Sequence, residues 1–139
     1  MKKIEKPWGY EIHWAETDNY VGKLLFIKAG HRLSKQYHEI KEETLYVLSG
    51  ILYNYDEHGT PMKILPGESF HVKPGQIHRF AANSCSVEVI EVSTPHLDDV
   101  IRLEDDYKRI PHVDNLSQQR GCEEELEEEV ELYKTYGGD

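Results

Sequence analysis

The chain has 139 residues, which is long enough for one domain with a core and too short for two catalytic domains. Charged residues make up 30% of the chain and the formal net charge is −10, so a basic face for nucleic acid is not expected. From residue 121 onward, seven Glu and one Asp against one Lys contribute −7, which leaves about −3 for residues 1–120. An anionic small molecule therefore remains compatible with the larger part of the chain.

The sequence predicts neither a signal peptide nor a membrane span. No apolar stretch precedes Glu5, so no signal-peptide core is predicted, and no run of about 18 apolar residues occurs elsewhere. We therefore expect a cytoplasmic protein without a membrane partner. Cys85 and Cys122 are isolated and lack a CxxC spacing, so we expect both to be reduced.

Short segments with period-two hydrophobicity dominate residues 21–93. They are rich in β-branched and aromatic residues and predict strands at 24–29, 44–50, 51–55, 62–65, 69–72, 78–81 and 87–92. Turn signals such as Pro66-Gly67 and Pro74-Gly75 separate them at intervals close to about 8 to 12 residues. No gap holds a helical crossover, so the sheets should be antiparallel, and a closed all-β jelly-roll barrel is the simplest arrangement.

After Pro95 the pattern becomes polar and irregular. Near the end of the chain, Leu126, Val130 and Tyr133 have helical spacing within an acidic segment. This predicts a short acidic helix with one narrow apolar stripe, resting on the barrel or on a partner subunit; a functional acidic tail is the alternative. The predicted organisation is a β-barrel over residues 1–110 followed by an acidic, helical extension over residues 111–139.

Four residues have the types and spacing of a metal site. Gln36 and His38 are two apart, so on a strand their side chains share one face, here the barrel interior. Glu43 begins the next apolar segment and His78 follows the turn at 74–75, so both can converge on that pair. The mixed nitrogen and oxygen set suits Zn²⁺ best, with Mn²⁺, Fe²⁺, Co²⁺ and Ni²⁺ as alternatives.

The residues around these four resemble the two cupin motifs. The first motif is matched by Gly30, Gln36, His38, Glu43 and Gly50, with Gln36 where its first His would stand. The second is matched by Gly67, Gly75, His78 and Asn83, with Lys73 at the usual Pro position and Asn83 one residue late. Two separated ligand sets with turn glycines in register favour a cupin barrel.

Longer segments resemble the cupin domain of type II mannose-6-phosphate isomerases. They are KPWG from Lys6, AGHRLSKQYH from Ala29, LYVLSG from Leu45, PGESFHVKPGQIHR from Pro66, VIEVSTP from Val89 and IRLEDDYKR from Ile101. In that family the residues before the metal-binding His read like SLQYH, so Gln36 is expected there. The glycine-rich nucleotide loop of the nucleotidyltransferase domain often fused to such cupins does not occur in this sequence, so pyrophosphorylase activity is not expected of it.

The resemblance implies interconversion of mannose 6-phosphate and fructose 6-phosphate through an enediol, assisted by one divalent ion. Beside the ligands, Lys35, Arg79 and His71 are candidate catalytic residues. Arg79 is equally compatible with an outward position, because neighbouring residues of a strand alternate faces. Candidate substrate contacts are Lys73, Tyr37 and Phe80.

Departures from the family pattern leave other functions open. Lys35, Lys41 and Thr44-Leu45 differ from the residues usual in that family, which is compatible with another substrate. One alternative is a non-catalytic metal-binding cupin that binds a sugar or sugar nucleotide. The other is a cupin enzyme acting on a different small molecule, as another sugar isomerase or an oxygenase. The expected small-molecule partner is a sugar or sugar phosphate, and we expect a homodimer.

Overall fold

The computed structural model describes residues 1–109, most of which form antiparallel strands. The strands are β1 (Lys2–Lys6), β2 (Gly9–Glu16), β3 (Val21–Ile27), β4 (His31–Arg32), β5 (Lys35–Tyr37), β6 (Glu43–Ser49), β7 (Leu52–Tyr55), β8 (Pro61–Ile64), β9 (Ser69–Val72), β10 (Arg79–Ala82), β11 (Val87–Ser93) and β12 (Ile101–Glu104). One short helix, α1 (Asp106–Arg109), follows β12. No helix within residues 1–109 has the length and apolar character needed to cross a membrane.

Two main sheets enclose the core. The larger sheet has the strand order β1-β2-β3-β11-β6-β9, and the smaller one has the order β4-β10-β7-β8. A two-stranded sheet pairs β12 with β5. The core between the sheets consists of Trp8, Leu25, Ile27, Leu33, Leu45, Val47, Leu52, Ile64, Val72, Phe80, Ala82, Val87 and Val89. This arrangement confirms the predicted all-β, antiparallel jelly roll.

Each predicted strand overlaps an observed one, but β1, β2, β4, β5 and β12 were missed. β1 is an edge strand whose sequence KKIEK is mostly charged and exposed, so it carries no apolar period. β4 and β5 contain only two and three residues. β12 lies in the polar stretch after Pro95, where pairing with β5 rather than burial produces the strand.

Two further expectations concern the carboxyl-terminal region and the cysteines. The predicted acidic helix over residues 111–139 lies outside the described residues, so the domain boundary stays a prediction. Cys85 is buried and disulfide-bonded, so the expectation of a reduced thiol is wrong for this residue. Two cysteines far apart in the sequence offer no local spacing from which a bond can be deduced.

Gly50 is required by the turn between β6 and β7. Its φ of +79° lies in the left-handed region, and a Cβ atom there would come within 2.3 Å of the Ser86 carbonyl oxygen. We expect Gly50→Ala to lower the free energy of unfolding by at least about 2 kcal/mol, measured by chemical denaturation. Gly59→Ala is the matched control, because Gly59 has a φ of +80° but no atom within 4 Å of such a Cβ. An equal loss in both variants would contradict a steric contribution at Gly50.

Residues 94–107, here called the covering segment, return across the barrel after β11. The Asp99 carboxylate accepts hydrogen bonds from the backbone N–H groups of residues 39, 40 and 41 at 3.0, 2.7 and 2.8 Å. At the other end, the buried Arg79 guanidinium donates to Glu104 at 3.2 Å and to Asp106 at 3.0 Å. Arg32 makes a second ion pair with Asp106. Charge-assisted hydrogen bonds therefore hold the covering segment against the barrel at Asp99 and again at Glu104 and Asp106.

The ion pairs of Asp106 with Arg32 and Arg79 make the stability contributed by the covering segment dependent on pH. The hydrogen bond from Arg32 lowers the pKa of Asp106 below its ordinary value of 3.8, against the opposing effect of partial burial. Since the carboxylate is favoured in the folded state, its stabilisation is present above about pH 4 and is lost as pH falls. We expect Asp106→Asn to lower the midpoint of thermal unfolding at pH 7 and to lower it less at pH 3. Asp18→Asn, on an exposed turn, should change neither value.

Candidate metal centre

Three ionisable side chains meet at the buried end of the barrel interior. His38 follows β5, Glu43 begins β6 and His78 precedes β10, and one ligand atom from each lies within 4.8 Å of the others. Glu43 Oε1 is 3.6 Å from His38 Nε2 and 3.5 Å from His78 Nε2. All three side chains are buried, so their polar atoms depend on one another rather than on solvent.

Backbone carbonyls orient both imidazole rings. His38 Nδ1 donates to the Asp99 carbonyl oxygen at 2.6 Å, and His78 Nδ1 donates to the Gln76 carbonyl oxygen at 3.0 Å. A carbonyl only accepts, so each Nδ1 carries the hydrogen and each Nε2 presents its lone pair toward Glu43. This is the tautomer and the orientation that histidine adopts when Nε2 binds a metal ion.

One nitrogen of this cluster lacks a partner. Within residues 1–109, His38 Nε2 is buried and makes no hydrogen bond. An unsatisfied buried nitrogen is costly, and it is explained if the position is completed by a bound group. Two imidazole nitrogens and one carboxylate oxygen fit a divalent ion of the Zn²⁺, Mn²⁺ or Fe²⁺ type, so the residues present are suited to hold one.

Gln36 lies beside this triad. Its backbone N–H donates to the His78 carbonyl at 3.0 Å, and the His78 N–H donates back at 2.9 Å, which ties the two ligand-bearing segments together. The side-chain Oε1 of Gln36 accepts from Ser34 Oγ at 2.9 Å, and its Nε2 lies 3.5 Å from His78 Nε2. The amide is thus adjacent to the triad with its nitrogen inward. Its role as the fourth ligand stays a prediction.

A chain of buried charges, unanticipated from the sequence, begins at Glu43. Lys41 Nζ lies 2.9 Å from Glu43 Oε2 and 3.3 Å from Glu91 Oε2. Lys23 Nζ lies 4.0 Å from the same Glu91 oxygen and continues the chain toward β2. Lys23 lies at an inward position of β3, between the buried Val21 and Leu25, where a sequence pattern leads one to expect an apolar residue.

The far end of this buried charge chain lies on β2. Glu11 Oε1 is 3.5 Å from Lys23 Nζ and 2.9 Å from His13 Nε2, and all three side chains are buried. Burial by itself would raise the pKa of Glu11, but the Lys23 ammonium and the bond to His13 lower it below the ordinary value. Acids and bases thus alternate from Glu43 to His13 across four neighbouring strands of the larger sheet.

The ionisable groups around the triad shift one another's pKa values. Burial alone would raise the pKa of Glu43, but the nearby His38 imidazole and the Lys41 ammonium hold it below the ordinary range. Burial likewise opposes the charge on Lys41, yet Glu91 and Glu43 raise the pKa of Lys41 above its usual value. Burial and the nearby Glu43 carboxylate raise the pKa of Glu91 to about 7. At neutral pH the site therefore presents an ionised Glu43 next to a charged Lys41.

His38 and Glu43 of the triad, together with the charge chain, line a cavity of about 540 Å³, a size that holds a small metabolite. Trp8 and Phe80 supply apolar wall, and residues of the covering segment complete the lining. Phe80 packs edge-on against Phe70, with ring centroids 6.0 Å apart, and lies 5.1 Å from the His78 ring. Among the candidate substrate contacts, the structure brings Phe80 to the cavity.

The other five candidate residues lie outside the cavity lining, largely because strand neighbours alternate faces. Lys35 and Tyr37 flank Gln36 on β5, and Lys35 Nζ donates to the Glu57 carbonyl oxygen at 3.1 Å. Arg79 is buried on the opposite side of its strand from His78 and binds the covering segment. The two remaining candidates are the exposed His71, paired with Glu42, and Lys73, in the turn before His78. Direct contact with a substrate in the cavity is therefore not supported for these five.

Comparison with known proteins places the chain in a family. A family model described as mannose-6-phosphate isomerase C-terminal matches residues 1–105. The structure of KdgF from Halomonas sp. is 21% identical over 71% of this chain and 92% of that chain, with a TM-score of 0.63. A sugar phosphate isomerase of the cupin superfamily from Silicibacter pomeroyi is 18% identical over 61% of this chain and 58% of that chain, with a TM-score of 0.56.

A third similar structure carries the same architecture. It is a Klebsiella pneumoniae protein with a double-stranded β-helix domain, 20% identical over 68% of this chain and 80% of that chain, with a TM-score of 0.61. Comparison with curated protein sequences gives no match. At these identities the structural likeness shows the fold alone. Since the family model spans 105 of the 139 residues, the chain belongs to the mannose-6-phosphate isomerase C-terminal family, with a cupin fold.

Proposed function

We propose that the protein is a metal-dependent sugar-phosphate isomerase that interconverts mannose 6-phosphate and fructose 6-phosphate. The observation that carries the proposal is the buried triad of His38, Glu43 and His78, whose two Nε2 atoms face Glu43 Oε1, with His38 and Glu43 lining a cavity of about 540 Å³. Membership of the mannose-6-phosphate isomerase C-terminal family supports the substrate. The similar Silicibacter pomeroyi protein is described as a sugar phosphate isomerase, which is consistent with the same class of substrate.

The residues of the chain have separable roles in this proposal. His38, Glu43 and His78 would hold the ion, with Gln36 as the fourth ligand and Zn²⁺ as the expected metal. A bound divalent ion would supply Lewis-acid polarisation of the substrate carbonyl and hydroxyl oxygens. The carbonyls of Asp99 and Gln76 hold the two imidazoles in the required tautomer.

Other residues prepare the surroundings of the triad. The Lys41 ammonium keeps Glu43 ionised and fixes its second oxygen at 2.9 Å. Trp8 and Phe80, both buried in the cavity wall, limit the access of water. An enediol intermediate would therefore lie between an apolar wall formed by Trp8 and Phe80 and the charged side chains of Lys41 and Glu43.

The test is an isomerase assay on protein stripped with a chelator and reloaded with one ion at a time. We expect turnover of mannose 6-phosphate after reloading with Zn²⁺ or another divalent ion, and none in the stripped protein. Free mannose is the control substrate, and it should be converted far more slowly. Absence of turnover with Zn²⁺, Mn²⁺, Fe²⁺, Co²⁺ and Ni²⁺ alike would remove the substrate assignment.

A non-catalytic binding protein is the second candidate. It is favoured by the finding that Lys35, Arg79 and His71, the predicted catalytic residues, do not line the cavity. Such a protein would bind mannose 6-phosphate in calorimetry without converting it, and His38→Ala would leave that binding unchanged if the ion were only structural. Oxygen uptake in the iron-loaded protein would instead indicate an oxygenase.

We also propose a homodimer, because the outer face of the larger sheet is apolar and exposed. Trp14, Tyr46, Leu48 and Val92 are each more than two-fifths exposed on β2, β6 and β11. Monomeric proteins rarely expose apolar patches of this kind. Light scattering should give twice the monomer mass, and Leu48→Glu should shift the protein toward the monomer.

A further inference from the structure

The edge strand β1 presents lysines to the cavity. Its side chains alternate faces, so Lys2, Ile4 and Lys6 line the cavity while Lys3 and Glu5 point to the outside. Lys3 is paired with Glu5 at 3.4 Å. Within residues 1–109, neither Lys2 nor Lys6 makes a salt bridge, so both ammonium groups are available to a ligand.

A third lysine and a histidine stand in register with this strand. The Cα pairing runs from Lys2 to His13 on β2 and from His13 to Lys23 on β3, so three inward side chains form one row across the sheet. His13 and Lys23 are both buried and line the cavity. The carboxylate of this wall, Glu11, is already engaged by Lys23 and His13. The sheet therefore fixes a set of donors on this wall, of which His13 and Lys23 are buried, Lys6 is partly buried and Lys2 is exposed.

The two walls of the cavity carry opposite charge. On the wall formed by β1, β2 and β3, the three lysines outnumber the single glutamate and leave a net charge of +2. On the wall beside the triad, Lys41 faces Glu43 and Glu91, so the formal charge with both carboxylates ionised is −1. The covering segment adds one arginine and two aspartates to the lining at more exposed positions. A cavity of this kind suits a ligand whose two ends differ in charge.

We infer that Lys2, Lys6 and Lys23 bind the phosphate group of the substrate, while its carbonyl end lies at the triad. The inference rests on the proposed function and assigns the phosphate to the β1, β2 and β3 end of the larger sheet, which lies beyond β11 from Glu43. Lysine ammonium groups bind phosphate as point charges, and they do so more strongly where a cavity excludes water. Lys6 determines specificity for phosphorylated over free sugars, because it is the partly buried lysine of this wall without a salt bridge within residues 1–109.

Lys6→Gln tests this assignment, and Lys3→Gln is its matched control on the outward face of the same strand. In the metal-loaded enzyme, we expect Lys6→Gln to raise KM for mannose 6-phosphate about tenfold and to change kcat less than about threefold. Lys3→Gln should leave both parameters unchanged. The rate with free mannose should be the same in both variants, because that sugar has no phosphate to bind.

Binding of inorganic phosphate separates this inference from the proposed function. Calorimetry on chelator-treated protein should show phosphate binding that is at least about fivefold weaker in Lys6→Gln than in Lys3→Gln. That result would support the phosphate site even if no isomerase activity were found. If the enzyme isomerises mannose 6-phosphate but Lys6→Gln and Lys3→Gln behave alike in both measurements, the site is overturned while the activity stands. Phosphate binding that is equal in both variants, without activity, overturns both proposals.

Discussion

His38→Ala is expected to lower the affinity for Zn²⁺ by more than about 100-fold and to abolish isomerase activity. Loss of a residue that merely orients a ligand typically costs about 10- to 100-fold in metal affinity, and loss of the ligand itself costs more. His38 is suited to this test because its Nε2 is the triad nitrogen that is buried and left without a partner within residues 1–109. Competition with a chromophoric chelator measures the affinity, and the phosphosugar assay measures the activity.

The control for this variant is His71→Ala. His71 is exposed on β9 and pairs with Glu42 outside the cavity, so its removal should leave Zn²⁺ affinity unchanged. The same variant tests the catalytic role predicted for His71 from the sequence, and on geometric grounds we expect full activity. Retention of Zn²⁺ by His38→Ala at wild-type affinity would contradict the proposed ligand set.

Lys41→Met is expected to lower the free energy of unfolding of the metal-free protein by about 3–5 kcal/mol. The substitution leaves the Glu43 and Glu91 carboxylates buried without the ammonium that lies within 2.9 and 3.3 Å of them. Breaking a buried ion pair by removing one partner has a cost of this size, because an uncompensated charge remains. Urea denaturation in the presence of a chelator measures it, and Lys28→Met, at an exposed position, should change the value by less than about 0.5 kcal/mol.

The loss in Lys41→Met should depend on the metal. A divalent cation held by His38, Glu43 and His78 compensates the Glu43 carboxylate, so an excess of Zn²⁺ should narrow the difference between variant and wild type. If the difference in unfolding free energy between Lys41→Met and the wild type is the same with chelator and with Zn²⁺, then Glu43 is not a metal ligand. The pair of measurements thus tests the ligand set without an activity assay.

The fold and the triad were predictable because both follow from local patterns. Period-two hydrophobicity placed the principal strands between residues 21 and 93. The spacing of His38, Glu43 and His78 relative to turn glycines placed those side chains in the barrel interior, where the structure finds them. These patterns can be recognised in the sequence because the side chains of a strand alternate faces whatever the strand packs against.

The buried charge chain could not be anticipated in the same way. In a single sequence, a charged residue in a strand indicates the solvent face, and Lys23 or Glu91 would be placed there by default. Its inward position is evident only when the register of neighbouring strands is known, as in the pairing of Lys23 with Glu91. The mutual compensation of these charges depends on contacts between residues about 70 positions apart in the chain.

The candidate catalytic residues were chosen by proximity in sequence, which is a poor guide on a strand. Lys35 and Arg79 are each adjacent to a residue of the site, and adjacency places them on the opposite face from it. Arg79 instead serves the covering segment, whose return across the barrel was not visible in its polar and irregular sequence. The course of the covering segment depends on tertiary contacts, which the local hydrophobic pattern of the sequence does not reveal.

Asp99 gives the covering segment and the metal centre a common point of attachment. Its carboxylate binds the backbone at residues 39, 40 and 41, while its carbonyl oxygen orients His38. A local fluctuation that moves Asp99 away from the barrel therefore breaks its hydrogen bonds to residues 39–41 and to the His38 imidazole in one step. Amide hydrogen exchange at residues 39–41 should slow when the ion binds, so that capture of the metal and closure over the cavity are one cooperative event.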